Sequence, residues 1–114
     1  MNKKQLKLKE LSIWKKFHIT GCQNYVRRPK NVLVIHKGNS YAHEKAKFDV
    51  CWKLLKNNSK FITEAVHNKT NLRHDVVDIT NGIIYEVETD PKRAERFKAL
   101  AKDYEFEIVV VKLW

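Results

Sequence analysis

Three carboxylates flank a single tight-turn signal. Asp75 lies before Asn81-Gly82, and Glu86 and Glu88 lie after it. Asn-Gly between two alternating runs predicts a two-residue hairpin loop, because both residues tolerate positive φ. Such a loop pairs Thr80 with Ile83, Ile79 with Ile84, Val77 with Glu86, and Asp75 with Glu88. Side chains alternate along a strand, so positions 75, 77, 79, 84, 86 and 88 are expected on one face. Asp75 and Glu88 would stand ~5 Å apart at their β-carbons, with Glu86 diagonal to Asp75 at under ~8 Å. Asp78 falls on the other face, opposite Tyr85. Like charges across a strand pair are destabilising, and these share a face with Val77, Ile79 and Ile84, so a counter-charge is expected. A divalent cation is the natural one, since hard oxygen ligands suit Mg²⁺ or Mn²⁺. Lysine, arginine or a raised carboxyl pKa would also neutralise the trio, and a solvated strand end would need nothing.

A fourth acid, Glu44, lies on a predicted helix over residues 41–56. There Tyr41, Phe48, Cys51, Trp52 and Leu55 recur at three- and four-residue steps and form one apolar stripe, expected to face the core. Glu44 follows the same steps. It either favours the positive end of the helix dipole or borders a site that wants an anion.

The elements that must hold these acids can be read around them. Residues 3–19 mix lysines with Leu6, Leu8, Leu11, Ile13, Trp14 and Phe17, and fit a helix about as well as a strand. Val32 to Ile35 reads as a short, fully buried strand. Gly38-Asn39-Ser40 is a turn that offers a helix cap. Residues 60–67, 72–80 and 83–89 read as three strands, and Asp90-Pro91 opens a helix over 91–104 with Asp90 as N-cap. Phe106 to Leu113 closes the chain as a strand, and Ile108 to Val111 suits one covered on both faces. Strand 83–89, helix 91–104 and strand 106–113 then form a βαβ unit.

The expected fold class is α/β, or α+β: helix, three-strand meander, helix, strand, with a mixed sheet. The 114 residues suit a single domain, with 1–37 as an N-terminal extension to a core over 38–113. No apolar run approaches the ~20 residues of a membrane span, so the chain is expected to be soluble and intracellular, with no membrane partner. Cys22 and Cys51 carry no CxxC spacing and point to no structural zinc, while a lone disulfide stays open. The five histidines show no ligand spacing.

Lysine and arginine number 23 against 13 acids, a net charge of +10. Polyanions are the partners this favours, nucleic acid first among them, although an acidic protein or an anionic membrane would answer the same charge. The basic residues cluster at Lys3 to Lys9, Lys15-Lys16, Arg27-Arg28 with Lys30, and Lys92-Arg93 with Arg96.

The order helix, meander, helix, strand, with Asp75 on the second strand of the meander and Glu86-Val87-Glu88 on the third, resembles the PD-(D/E)XK nuclease superfamily. Arg73-His74-Asp75 stands where that family has a Pro-Asp dipeptide, and Glu44 stands at its helical acid. Tyr41-Ala42-His43-Glu44 and Tyr85-Glu86-Val87-Glu88-Thr89 also resemble segments of small, mostly uncharacterised proteins of archaea and archaeal viruses; a viral chain would work in the host cytoplasm. The resemblance implies a restriction-endonuclease-like core and a metal-dependent endonuclease acting on DNA. Asp75, Glu86 and Glu44 would be the metal ligands for Mg²⁺ or Mn²⁺. Glu88 would join them in catalysis by orienting or deprotonating the attacking water. Arg73, Lys92, Arg93, Arg96, Arg27 and Arg28 would hold nucleic acid. Glu88 departs from the family's lysine, which positions and activates the water; Lys92 or Arg93 would supply the missing charge. A nuclease acting on two strands is often a two-fold homodimer, and that is the expected assembly. The rival functions are a non-catalytic DNA-binding protein on the same scaffold, and an interaction protein docking through Trp14 and Phe17.

Overall fold

The computed structural model describes residues 2–19 and 30–114. Arg27, Arg28 and Cys22 lie outside the described residues. The elements are α1 (Lys3–Trp14), β1 (Phe17–Ile19), α2 (Tyr41–Lys56), β2 (Phe61–His67), β3 (Arg73–Asp78), β4 (Ile83–Glu88), α3 (Pro91–Leu100) and β5 (Glu107–Lys112). The class is α+β, with one open mixed sheet in the order β1-β2-β3-β4-β5. The first three pairings are antiparallel and β4–β5 is parallel. No helix among the described residues is long and apolar enough to cross a membrane.

Local chemistry sets the helix starts. Asn2 and Gln5 form a reciprocal capping box on α1. Ser40 Oγ accepts the His43 N–H at the start of α2. Asp90 caps α3 with Pro91 at its first position, as the sequence predicts. Residues 3–19, ambiguous in sequence, divide into a helix and a short strand.

Alternation along β2 and β3 separates two cores. Phe61 and Val76 pack with Cys51 and Leu54 of α2. Ile62, Val77 and Ile84 pack with Ile13, Phe17 and Ile19 on the other face, where Phe97 of α3 joins them.

Four expectations need correction. The run Val32 to Ile35 is not a buried strand: it makes one isolated bridge, Val32 to Ile62, and Ile35 is 73% exposed. Thr63 explains the arrangement, because its hydroxyl donates to Val32 O at 2.6 Å and accepts the Val34 N–H at 2.7 Å in place of a regular ladder. Of the stripe on α2, Cys51 alone is buried as expected, while Tyr41, Phe48, Trp52 and Leu55 point outward; the face turned to the sheet carries Lys47, Cys51 and Leu54. Strand β5 is half-buried rather than covered on both faces, because it forms the sheet edge.

The fourth correction is the hairpin. Val77 pairs with Ile84 rather than Glu86, and Asp78 pairs with Ile83. The loop is therefore four residues, Ile79 to Gly82, and only Gly82 adopts positive φ in it. Two contacts explain the longer loop. Ile79 is fully buried, and its N–H donates to Lys60 O at 2.8 Å, which draws it away from β4. Asp78 then closes the turn, accepting the Asn81 N–H at 3.1 Å and the Asn81 amide at 2.8 Å.

Candidate functional site

The β3–β4 ladder ends at Val76–Tyr85. Beyond it, side chains replace carbonyls as acceptors. The Asp75 N–H donates to Glu86 Oε1 at 3.2 Å, and the Val87 N–H donates to Asp75 Oδ2 at 2.8 Å. The two strands part here, and the two carboxyl groups lie within hydrogen-bonding reach of each other. Each side chain is only 13% exposed.

Asp75 does not share the face of Val77, Ile79 and Ile84 as expected. Its Oδ1 reaches His43 Nε2 on α2 at 3.3 Å. Regular alternation fails along this line. Glu64 holds φ at +50°, and the β2–β3 register skips Glu64 and Asp75. Ile62 and Ala65 consequently belong to one core although three positions separate them.

Helix α2 contributes His43, Glu44 and Lys47, which spacing puts on one face. The Lys47 side chain is fully buried. Its ammonium lies 2.6 Å from Glu44 Oε2 and 3.5 Å from Glu64 Oε1, and donates to Val34 O at 2.7 Å. Glu44 also accepts the His36 N–H at 3.1 Å and the Asn39 amide at 2.8 Å, and meets His43 Nδ1 at 3.0 Å. His43 thus bridges Glu44 and Asp75, with one ring nitrogen toward each.

The electrostatics divide the acids. Burial alone would raise the Glu44 pKa, but Lys47, Asn39, the His36 N–H and His43 together reverse it, and the carboxyl is lowered to about 2. Burial raises Asp75, against the pull of His43 and the Val87 N–H. Burial, and then the Asp75 carboxylate, push Glu86 well above the usual range. His74 Nδ1 lies 3.0 Å from Glu86 Oε1, yet burial and then His67 lower His74 to about 4. Both shifts oppose charge, so the surroundings disfavour an ion pair at this contact. His74 Nε2 also meets the Tyr104 hydroxyl at 3.3 Å, inside a ring cluster with Phe17 and Phe97.

Of the acids expected in the site, the fold joins Asp75 to Glu86 directly and Glu44 to Asp75 through His43. Glu88 turns to the end of β4, where its Oε1 accepts the N–H groups of Thr89 at 3.0 Å and Asp90 at 3.3 Å. Arg73, Lys92, Arg93 and Arg96 are exposed at the start of β3 and on α3. His43, Lys47, Glu64 and His74 were not singled out from sequence. The spacing of His43, Glu44 and Lys47 carried the signal for two of them, since three neighbouring polar residues on a helix define a face as well as aromatics do.

Among the described residues, no group of three or more His, Cys, Asp or Glu side chains is arranged to hold a metal ion. Two buried carboxylates side by side remain a fit for a hard cation, because Mg²⁺ often keeps one or two carboxylates and takes waters and substrate phosphates for the rest. No protein-family model, no curated protein and no solved structure matches the chain.

Proposed function

We propose that the chain is a metal-dependent DNA endonuclease that hydrolyses phosphodiester bonds on a restriction-endonuclease-like core. One observation carries this reading. Asp75 and Glu86 are buried together, both resist ionisation, and the nearby buried ammonium of Lys47 is committed to Glu44 and Glu64. Two oxygen donors short of a counter-charge suit Mg²⁺ or Mn²⁺. The order α2, β2, β3, β4, α3, β5 supports the same reading.

Asp75 and Glu86 would hold the ion. When bound, it polarises the scissile phosphate and lowers the pKa of a water. His43 fixes Asp75 Oδ1, and Glu44 fixes His43. Glu44 is a positioning residue in this reading, since the Lys47 ammonium at 2.6 Å already supplies its counter-charge. Lys47 brings a fixed positive charge close to the acids, the property the sequence sought in Lys92 or Arg93. Arg73, Lys92, Arg93 and Arg96 would engage backbone phosphates and supply affinity without base readout.

A nucleic-acid-binding protein that does not cut is the second reading, favoured by Glu88 where the nuclease superfamily that the sequence resembles carries lysine. One assay separates them. Plasmid, single-stranded and branched DNA are incubated with the protein in Mn²⁺ or in chelator. The enzyme reading expects metal-dependent products, lost in Asp75→Ala and Glu86→Ala while DNA binding persists. Salt-sensitive binding with no metal-dependent product would replace it with the second reading. Cleavage surviving both substitutions would remove these acids from the site.

A further inference from the structure

Helix α2 departs from an ordinary surface helix. Lys47 shares its buried face with Cys51 and Leu54, while four of its large apolar side chains point to solvent. Tyr41 is 83% exposed, Phe48 47%, Trp52 49% and Leu55 44%. These four share one stripe, since spacing of three, four and seven residues returns to the same helix face. Phe48 and Trp52 lie nearly parallel at 18°, with centroids 6.2 Å apart. Lys56 stands over the Trp52 ring at 5.1 Å, and Lys45 and Lys53 are exposed on the same helix. A contiguous exposed apolar stripe of this kind marks an interaction surface rather than a scatter of surface residues.

Charge decides what covers it. Asp49 is the only exposed acid on α2, against Lys45, Lys53 and Lys56. A second copy would bring one +10 body against another and set lysines near lysines. A polyanion meets the same lysines with opposite charge, and nucleic acid offers flat rings as well as phosphates. Aromatic side chains interleaved with cations form the stacking surface that single strands use, and the contact tolerates any sequence because every base has a π-face. Paired bases in a duplex hide their faces, so the aromatic stripe selects unpaired ones.

We infer that the outward face of α2 is a stacking platform for unpaired bases, with Tyr41, Phe48 and Trp52 as ring contacts and Lys45, Lys53 and Lys56 as phosphate contacts. This rests on the nucleic-acid reading above and narrows its substrate to DNA with a single-stranded stretch.

The test measures binding of the full chain to a labelled oligothymidine and to a blunt hairpin duplex, both in chelator so that nothing is cut. Phe48→Ala/Trp52→Ala is expected to weaken oligothymidine binding ten-fold or more, while duplex binding changes less than two-fold. Tyr41→Ala, at the most exposed ring, keeps the test valid should the double variant misfold; a three-fold or greater loss for the single strand is expected. Unchanged single-strand affinity in folded variants overturns the platform. So does a wild-type dimer in sedimentation equilibrium that Trp52→Ala converts to monomer, because a second copy would then own the face. Metal-dependent cleavage is read separately. A platform that binds without cleavage leaves this inference standing and removes the enzyme, and cleavage with unaltered binding in the variants does the reverse.

Discussion

Asp75 and Glu86 each take the place of a backbone carbonyl on the neighbouring strand. Glu86 Oε1 accepts the Asp75 N–H at 3.2 Å, and Asp75 Oδ2 accepts the Val87 N–H at 2.8 Å. The strands are held together by the carboxylates that function would require, so stability and chemistry share the same two side chains. That sharing has measurable consequences.

Removing charge without removing the acceptor should stabilise the metal-free protein. A buried carboxyl with a raised pKa costs stability whenever it is forced to ionise. Glu86→Gln keeps an oxygen for the Asp75 N–H. At pH 8 in chelator it should raise the unfolding free energy by about 1–2 kcal/mol, as relief of a strained functional site commonly does. Urea denaturation checks it, and a loss of stability would mean that the pair is not short of a counter-charge.

Divalent cations should act on the same pair. Mn²⁺ at a hundred times its Kd stabilises by ~2.7 kcal/mol if only the folded state binds it. The melting temperature of the wild type should rise with Mn²⁺ and return on adding chelator. Asp75→Asn and Glu86→Gln should show no such rise. A shift of equal size in those variants would place the cation elsewhere.

Lys47 is the counter-charge for Glu44 and Glu64. Breaking a buried ion pair by removing one partner typically costs ~3–5 kcal/mol. Lys47→Met should fall in that range by urea denaturation. Adding Glu64→Gln should recover part of the loss, because it removes one of the stranded charges. Additive losses in the double variant would show that Lys47 and Glu64 do not interact.

His74 gives the fold an acid limit. An unfolded chain protonates His74 near pH 6.5, whereas the folded chain resists until about pH 4. Its contribution is therefore complete above pH 6.5 and lost as pH falls toward 4, by at most about 3 kcal/mol. His67, also lowered by burial, adds in the same sense. Asp75 and Glu86 oppose it, since their folded carboxyls take up protons more readily than unfolded ones. The histidine slope should thus be clearest in Asp75→Asn/Glu86→Gln, followed by denaturation at pH 7.5 and 5. Adding His74→Phe should flatten it.

Most elements were legible because their signals are local. Ser40 and Asp90 begin their helices, and helix α2 spans the residues its spacing predicts. The three strands of the meander sit where alternation and turn residues put them. The errors arose where a long-range contact outbid a local one. Asn81-Gly82 favours a two-residue loop, but Asp78 and Lys60 capture the turn from outside the pair. The aromatic stripe of α2 would dominate an isolated helix, but Glu64 and Glu44 draw Lys47 inward and turn the rings to solvent. Asp75 was reached through the hairpin register, and the shift of that register brings Glu86 rather than Glu88 against it. Its contact with His43 accompanies a positive φ at Glu64 that no residue pattern in β2 announces.

The chain from Val32 to Val34 is held by the Thr63 hydroxyl, one bridge to Ile62 and the Lys47 ammonium, with no regular ladder. A segment held by so few bonds can lift away without unzipping any of the paired strands. Its amides should therefore exchange with deuterium well before those of β2 and β3. Val34 O is also an acceptor for the Lys47 ammonium, so each such opening exposes the buried lysine to water. Water admitted there would meet the lysine that Glu44 and Glu64 share.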